Sequence, residues 1–169
     1  MNGDVTLNKY QEYIDNICNF SISDILDLIK KTYEPKPLRP MDIFQISDFD
    51  KATFEICNVL DIFSTDGYRY TEIGKLLEND GIARKDSAFQ KYGENQVKFS
   101  ELLGLTFKKD KYFYFLSCIG ISMRYIDVDK RTDLLNRLIL RTNIFQKLFF
   151  ESLKGPVKIE YLMHEISNK

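Results

Sequence analysis

A chain of 169 residues with 44% hydrophobic content, thirteen Phe and ten Tyr can bury a real core, which excludes global disorder. Its formal net charge of -1 excludes the uniformly basic signature of a strong non-specific nucleic-acid binder. The charge is unevenly spread, however: Met1 to Glu34 holds three lysines against six acids, whereas Arg84 to Lys111 holds seven Lys or Arg against four acids.

In chain order, Leu7, Tyr10, Ile14, Ile17 and Cys18 recur at helical spacing and predict a first amphipathic helix. Ser21 or Ser23 caps a second helix, which runs through Ile25, Leu26, Leu28 and Ile29 to about Tyr33. Pro35, Pro37 and Pro40 then impose an extended strap, because proline removes helical donors and fixes φ. Asp48 or Asp50 caps a helix carrying Phe54, Ile56, Cys57, Leu60, Ile62 and Phe63, and Thr65-Asp66-Gly67 ends it. Thr71 is expected to cap the next helix, with Ile73, Leu76 and Leu77 inward, and Asn79-Asp80-Gly81 stops it. Residues Ile82 to Gly93 are polar and weakly periodic and read as a loop with a short helical turn. A third helix is predicted from about Glu94 to Leu103, with Gly104 as its stop. Leu105-Thr106-Phe107 and Tyr112 to Leu116 flank a charged turn and predict a β-hairpin closed by Gly120. One long amphipathic helix is expected over roughly Lys130 to Leu153, ended by Gly155-Pro156, and Val157 to Ile166 opens one more short element.

Three helices followed directly by a hairpin suit the reading of a DNA groove. A short third helix backed by two others presents one face to base edges, while the hairpin lies along the phosphates. The exposed positions of that helix are expected to include Glu94, Asn95, Gln96, Lys98 and Glu101. Asn95 and Gln96 can bond bidentately to adenine, and Lys98 to guanine or phosphate. Lys108, Lys109 and Lys111 at the hairpin tip, with Arg84, Lys85 and Lys91 just before the helix, are expected to meet phosphates.

The run Tyr70 to Leu77 resembles the positioning helix of a winged-helix repressor, and Lys91 to Leu105 resembles a recognition helix ending in Leu-Gly-Leu. Leu116 and Gly120 after the hairpin, with Leu138 to Thr142 and Phe145, are similar to winged-helix modules attached to restriction-modification enzymes and AAA-associated regulators. Together with the proline boundary and the periodicities above, that resemblance gives a mainly α fold with a small β-hairpin: a winged helix-turn-helix over 51–125, a helical extension over 1–34, a proline-rich strap over 35–50 and a C-terminal long helix over 126–169. It further implies binding to double-stranded DNA as a recognition or regulatory module of a restriction-modification or defence system, within a homodimer or larger enzyme complex. In such modules a second winged helix often follows the long helix, so 126–169 is read as that helix with the start of a second module, in a fragment or in a short relative that lacks the second half. The competing expectation is a protein-assembly module on the same scaffold, which the acidic N-terminal helices and near-zero charge favour.

Catalytic constellations are missing from the pattern, so no cofactor is expected, and no enzyme unless the chain is a fragment of a larger nuclease. Asp127, Asp129 and Asp133 cluster at a helix start, where they serve as caps rather than metal ligands. Lys158-Ile159-Glu160 has nuclease residue types in the wrong order, and His164 stands without a Cys or Asp pattern. The aromatic run Tyr112 to Phe115 is expected to serve core packing rather than base stacking. Cys18, Cys57 and Cys118 lie among apolar neighbours without a C-x-x-C pair, which predicts buried free thiols and a reducing, cytoplasmic location. No cationic lead with an apolar run opens the chain, and no stretch reaches the roughly 18 apolar residues of a membrane span.

Overall fold

The computed structural model of the protein describes residues 19, 21–34, 36–38, 46, 48–158 and 160. The expected first helix, most of the proline strap and His164 lie outside them. Helix α1 (Ile22–Thr32) starts where serine capping predicts: the Ser21 hydroxyl accepts from the Asp24 N–H at 3.1 Å, and the Asp24 carboxylate accepts from the Ser21 N–H at 3.1 Å. Helix α2 opens with a π-helical stretch, Lys51–Glu55, and continues as α-helix over Ile56–Val59. Asp48 caps it by accepting from the Lys51 N–H at 3.1 Å. It stops at Leu60, so Ile62 and Phe63 fall in the connection, and Phe63 is exposed.

Helix α3 (Tyr70–Leu77) is capped by Arg69, not Thr71, because the Glu72 carboxylate reaches back to accept from the Arg69 N–H at 2.7 Å. Gly67 and Gly81, with φ of 71° and 75°, make the turns before and after α3 in a conformation that disfavours L side chains. Helix α4 then runs over Asp86–Leu102, which overturns the loop expected up to Gly93. The periodicity there is weak because the first turns are largely exposed, with only Phe89 and Tyr92 half-buried. Gly104 at φ 77° ends α4 as predicted.

Strands β1 (Thr106–Lys108) and β2 (Tyr114–Leu116) pair antiparallel, with Phe107 opposite Phe115. Tyr68 adds an isolated antiparallel bridge on the other edge of β2, where each of Tyr68 and Tyr114 donates its N–H to the other's carbonyl, at 2.9 and 3.0 Å. Gly120 does not close the hairpin. It lies inside helix α5 (Cys118–Tyr125), where an added Cβ would sit 2.1 Å from the Leu105 carbonyl oxygen. Ser117 caps α5, accepting from the Gly120 N–H at 3.0 Å.

The long helix expected from Lys130 to Leu153 is two helices, α6 (Val128–Leu140) and α7 (Asn143–Ser152). Thr142 separates them with an extended backbone, its hydroxyl donating to the Ile139 carbonyl at 2.7 Å. A local hydroxyl bond of this kind competes with helix continuation. Asp127 holds the N-cap position of α6 without a side-chain cap bond, and Asp133 instead accepts from Arg137 at 2.8 Å.

The core joins α2 to α6: Ile56, Leu60, Ile73, Val97, Leu105, Tyr114, Met123, Leu134 and Leu138 are all nearly or wholly inaccessible. Arg124 of α5 ties α2 in place, donating to the carbonyls of Cys57, Asn58 and Leu60 and so satisfying orphan acceptors at the α2 C-terminus. Helix α1 packs against α6 and α7, with Tyr33 tilted against Phe150 at 5.4 Å. Cys57 is buried, as expected, but Cys118 is exposed at the first position of α5. Among the described residues no helix is long and apolar enough to cross a membrane.

Candidate nucleic-acid interface

Helices α3 and α4 meet at a pair of glycines. A Cβ added to Gly93 would lie 2.0 Å from the Tyr70 carbonyl oxygen and 2.7 Å from the Gly74 nitrogen, and one added to Gly74 would lie 2.0 Å from the Phe89 carbonyl oxygen. Backbone therefore rests on backbone, a separation only glycine permits. The inward face of α4 follows from that contact: Gly93, Gln96, Val97 and Ser100 recur at helical spacing and are buried. Gln96 is fully buried, so its expected place on the exposed face is wrong. The helix begins at Asp86 rather than Glu94, and the Gly93 crossing turns Gln96 inward. Asn95 is half-buried. The outward stripe runs instead through Ser87, Gln90, Lys91, Glu94, Lys98 and Glu101.

The hairpin stands beside this stripe. Arg69, Tyr70 and Thr71 from the start of α3, Gln90 from α4 and Tyr112 from the hairpin line a cleft of about 290 Å³. Below it the Tyr70 and Tyr114 hydroxyls meet at 2.9 Å. Burial, reinforced by that bond, pushes the Tyr114 phenol far up, so it remains protonated. The Arg69 guanidinium lies 5.0 Å from the Phe113 ring centre. Arg69 and Gln90 thus join the site, although the sequence reading passed over them, as do Thr71, read there as a cap, and Tyr112, whose expected place in the core is wrong because it is exposed at the hairpin. Gln90 was hidden by the loop expected there, and the signal that finds it is the stripe spacing it shares with Glu94 and Lys98.

Lys108, Lys109 and Lys111 are exposed on the hairpin, and among the described residues none is in an ion pair. Each instead stands over an aromatic ring, Lys108 over Tyr114 at 5.3 Å, Lys109 over Phe115 at 5.6 Å and Lys111 over Tyr112 at 5.5 Å. Asp110 shapes the tip by accepting from the Tyr112 and Phe113 N–H groups at 2.8 and 3.2 Å.

The cations on the helices are placed differently. Arg84 grips Asp80 through both terminal nitrogens, at 2.7 and 2.6 Å, and also pairs with Glu78 at 3.1 Å. It clasps the α3–α4 connection, and the Arg84 bonds hold the Asp80 carboxyl well below its usual range. Lys85, the N-cap residue of α4, is exposed. Lys98 donates to Glu94 at 2.5 Å, and Lys91 lies 3.8 Å from the other oxygen of the same carboxylate. The Lys98 bond lowers the Glu94 pKa, and the Glu94 bond raises that of Lys98. Among the described residues no three His, Cys, Asp or Glu side chains converge as metal ligands.

The chain matches no family model, no curated protein and no solved structure, so its functional reading stands on these residues.

Proposed function

We propose that this chain is a winged helix-turn-helix module that binds double-stranded DNA, with α3 and α4 as the helix pair and the β1–β2 hairpin as the wing. The observation that carries this reading is the cleft in which Arg69, Thr71, Gln90 and Tyr112 meet, flanked by a hairpin whose three lysines lack ion-pair partners among the described residues. The order of elements supports it as well: α2, the Tyr68 bridge, α3, α4 and two strands. In this arrangement the first turns of α4 enter a major groove, Gln90 reaches a base edge, and the wing lysines with Arg69 meet phosphates. A role in restriction-modification or defence, in a homodimer or a larger enzyme complex, rests on the sequence likeness given above.

Titration with duplex DNA at two salt concentrations tests the reading. Log affinity should fall with log salt by about 0.9 for each phosphate contacted. Replacing Lys108, Lys109 and Lys111 together by Ala should weaken binding to every sequence alike and flatten that slope. Absence of binding at low salt rejects the DNA reading. A protein-assembly module is the second reading, favoured by Arg84, Lys91 and Lys98 already being matched to carboxylates.

A further inference from the structure

We infer that Glu94 is a specificity-determining residue of the DNA face: its carboxylate holds Lys91 and Lys98 and so restrains their binding to phosphate, which suppresses sequence-independent attachment. The inference rests on the DNA-binding reading above. Glu94 stands at the centre of the outward stripe of α4, one turn before Lys98 and one turn after Lys91. The two lysines use different oxygens of the one carboxylate, at 2.5 Å to Oε1 and 3.8 Å to Oε2. Lys98 and Lys91 keep side-chain exposures of 43% and 68%, so both are accessible to a polyanion, whereas Glu94 keeps 26% and is held against the helix.

The consequence is a competition. A phosphate that takes Lys98 must displace a short charge-assisted hydrogen bond and then face the carboxylate left behind. On the wing no such competitor exists among the described ion pairs, so Lys108, Lys109 and Lys111 offer their charge at no comparable cost. Random DNA is thus gripped by the hairpin lysines and Arg69, without Lys91 and Lys98. The helix lysines engage only where base contacts near Gln90 and Ser87 make the exchange favourable. Discrimination by an introduced repulsion, rather than by added attraction, is a general route to specificity.

The test compares wild type, Glu94→Gln, Glu94→Asp and Asp129→Asn, the last removing one acid from α6, outside the interface. Each protein is first checked for an unchanged thermal unfolding profile and then titrated with a random-sequence duplex across a salt series. Glu94→Gln should bind on the order of tenfold more tightly at low salt, with a slope steeper by about 0.9 to 1.8, as one or two phosphate contacts are added. Glu94→Asp, which keeps the charge, and Asp129→Asn, which matches the change in net charge, should both stay close to wild type. An unchanged slope in Glu94→Gln, or an equal gain in Asp129→Asn, overturns the inference while leaving the DNA-binding reading in place. If none of the four proteins binds at the lowest salt, that reading fails and the inference with it.

Discussion

Gly93 of α4 sits directly against Gly74 of α3, so close that a Cβ on Gly93 would stand 2.7 Å from the Gly74 nitrogen and 2.0 Å from the Tyr70 carbonyl oxygen. Alanine at Gly93 would gain about 1 kcal/mol in helix propensity. Overpacking typically costs about 1–3 kcal/mol, and here the obstacle is backbone, which no rotamer change can move aside. The clash therefore wins. Gly93→Ala should lower unfolding free energy by about 1–2 kcal/mol in urea, with Gly74→Ala behaving alike; an unchanged midpoint would mean that the two helices are farther apart than described.

Arg124 should matter far more than a half-exposed arginine usually does. Its guanidinium satisfies carbonyls at the end of α2, with Nη2 at 2.6 Å from Cys57 O and 2.5 Å from Leu60 O. Hydrogen bonds from a charged donor contribute about 1.5–3 kcal/mol. Arg124→Ala should cost about 2–3 kcal/mol by denaturant titration. Arg124→Lys should recover little, since an ammonium cannot span the same set of acceptors.

Gln96 and Gln90 should exchange the roles that residue type alone suggests. Gln96 is inaccessible, so Gln96→Ala should reduce stability by about 1–3 kcal/mol, as buried truncation does, with relative preference among duplex sequences unchanged. Gln90→Ala should leave the melting temperature near wild type while altering that preference. Competition binding with a pool of duplexes, alongside thermal melts, separates the two effects.

Thiol reactivity offers a check on burial. Burial pushes the Cys57 thiol up to about 12 from an ordinary 9.0, whereas Cys118 is exposed. In a Cys18→Ser background, a maleimide at neutral pH should label one site in the native protein, at Cys118, and a second only after unfolding. The raised Cys57 value also has a sign for stability. Because the folded state keeps its proton longer than the unfolded chain does, the contribution is full below about pH 9 and declines as pH rises toward 12. Native labelling at Cys57 would contradict the packing of α2 against α5.

Much of the helical scaffold was legible because its punctuation is local. Ser21 with Asp24, Asp48, Gly67, Gly81 and Gly104 all sit where capping and turn chemistry place them. The failures are as informative. The first turns of α4 carry few buried side chains, so periodicity had little to register, and the loop assigned there hid Gln90 and misdirected Gln96. Thr142 interrupts the helix with an extended backbone, its hydroxyl bonded to the Ile139 carbonyl, although the apolar spacing continues across it. Helix α5 was missed because Gly120 signals a turn in sequence, while in space it admits the Leu105 carbonyl. The exposure of the hairpin lysines was legible from the charged turn, but the pairing of Lys91 and Lys98 with Glu94 depends on where the helix starts.

The Tyr68 bridge makes the hairpin a mechanical part of the helix pair. Tyr68 is bonded to both backbone groups of Tyr114, and Arg69, the residue that begins α3, follows it in the chain. A pull on β2 is thus delivered within two residues to the first turn of α3, and through the glycine crossing to α4. Hairpin and helix pair answer to the same load, so on the DNA-binding reading proposed above a phosphate held at the tip would set the angle at which Gln90 meets a groove.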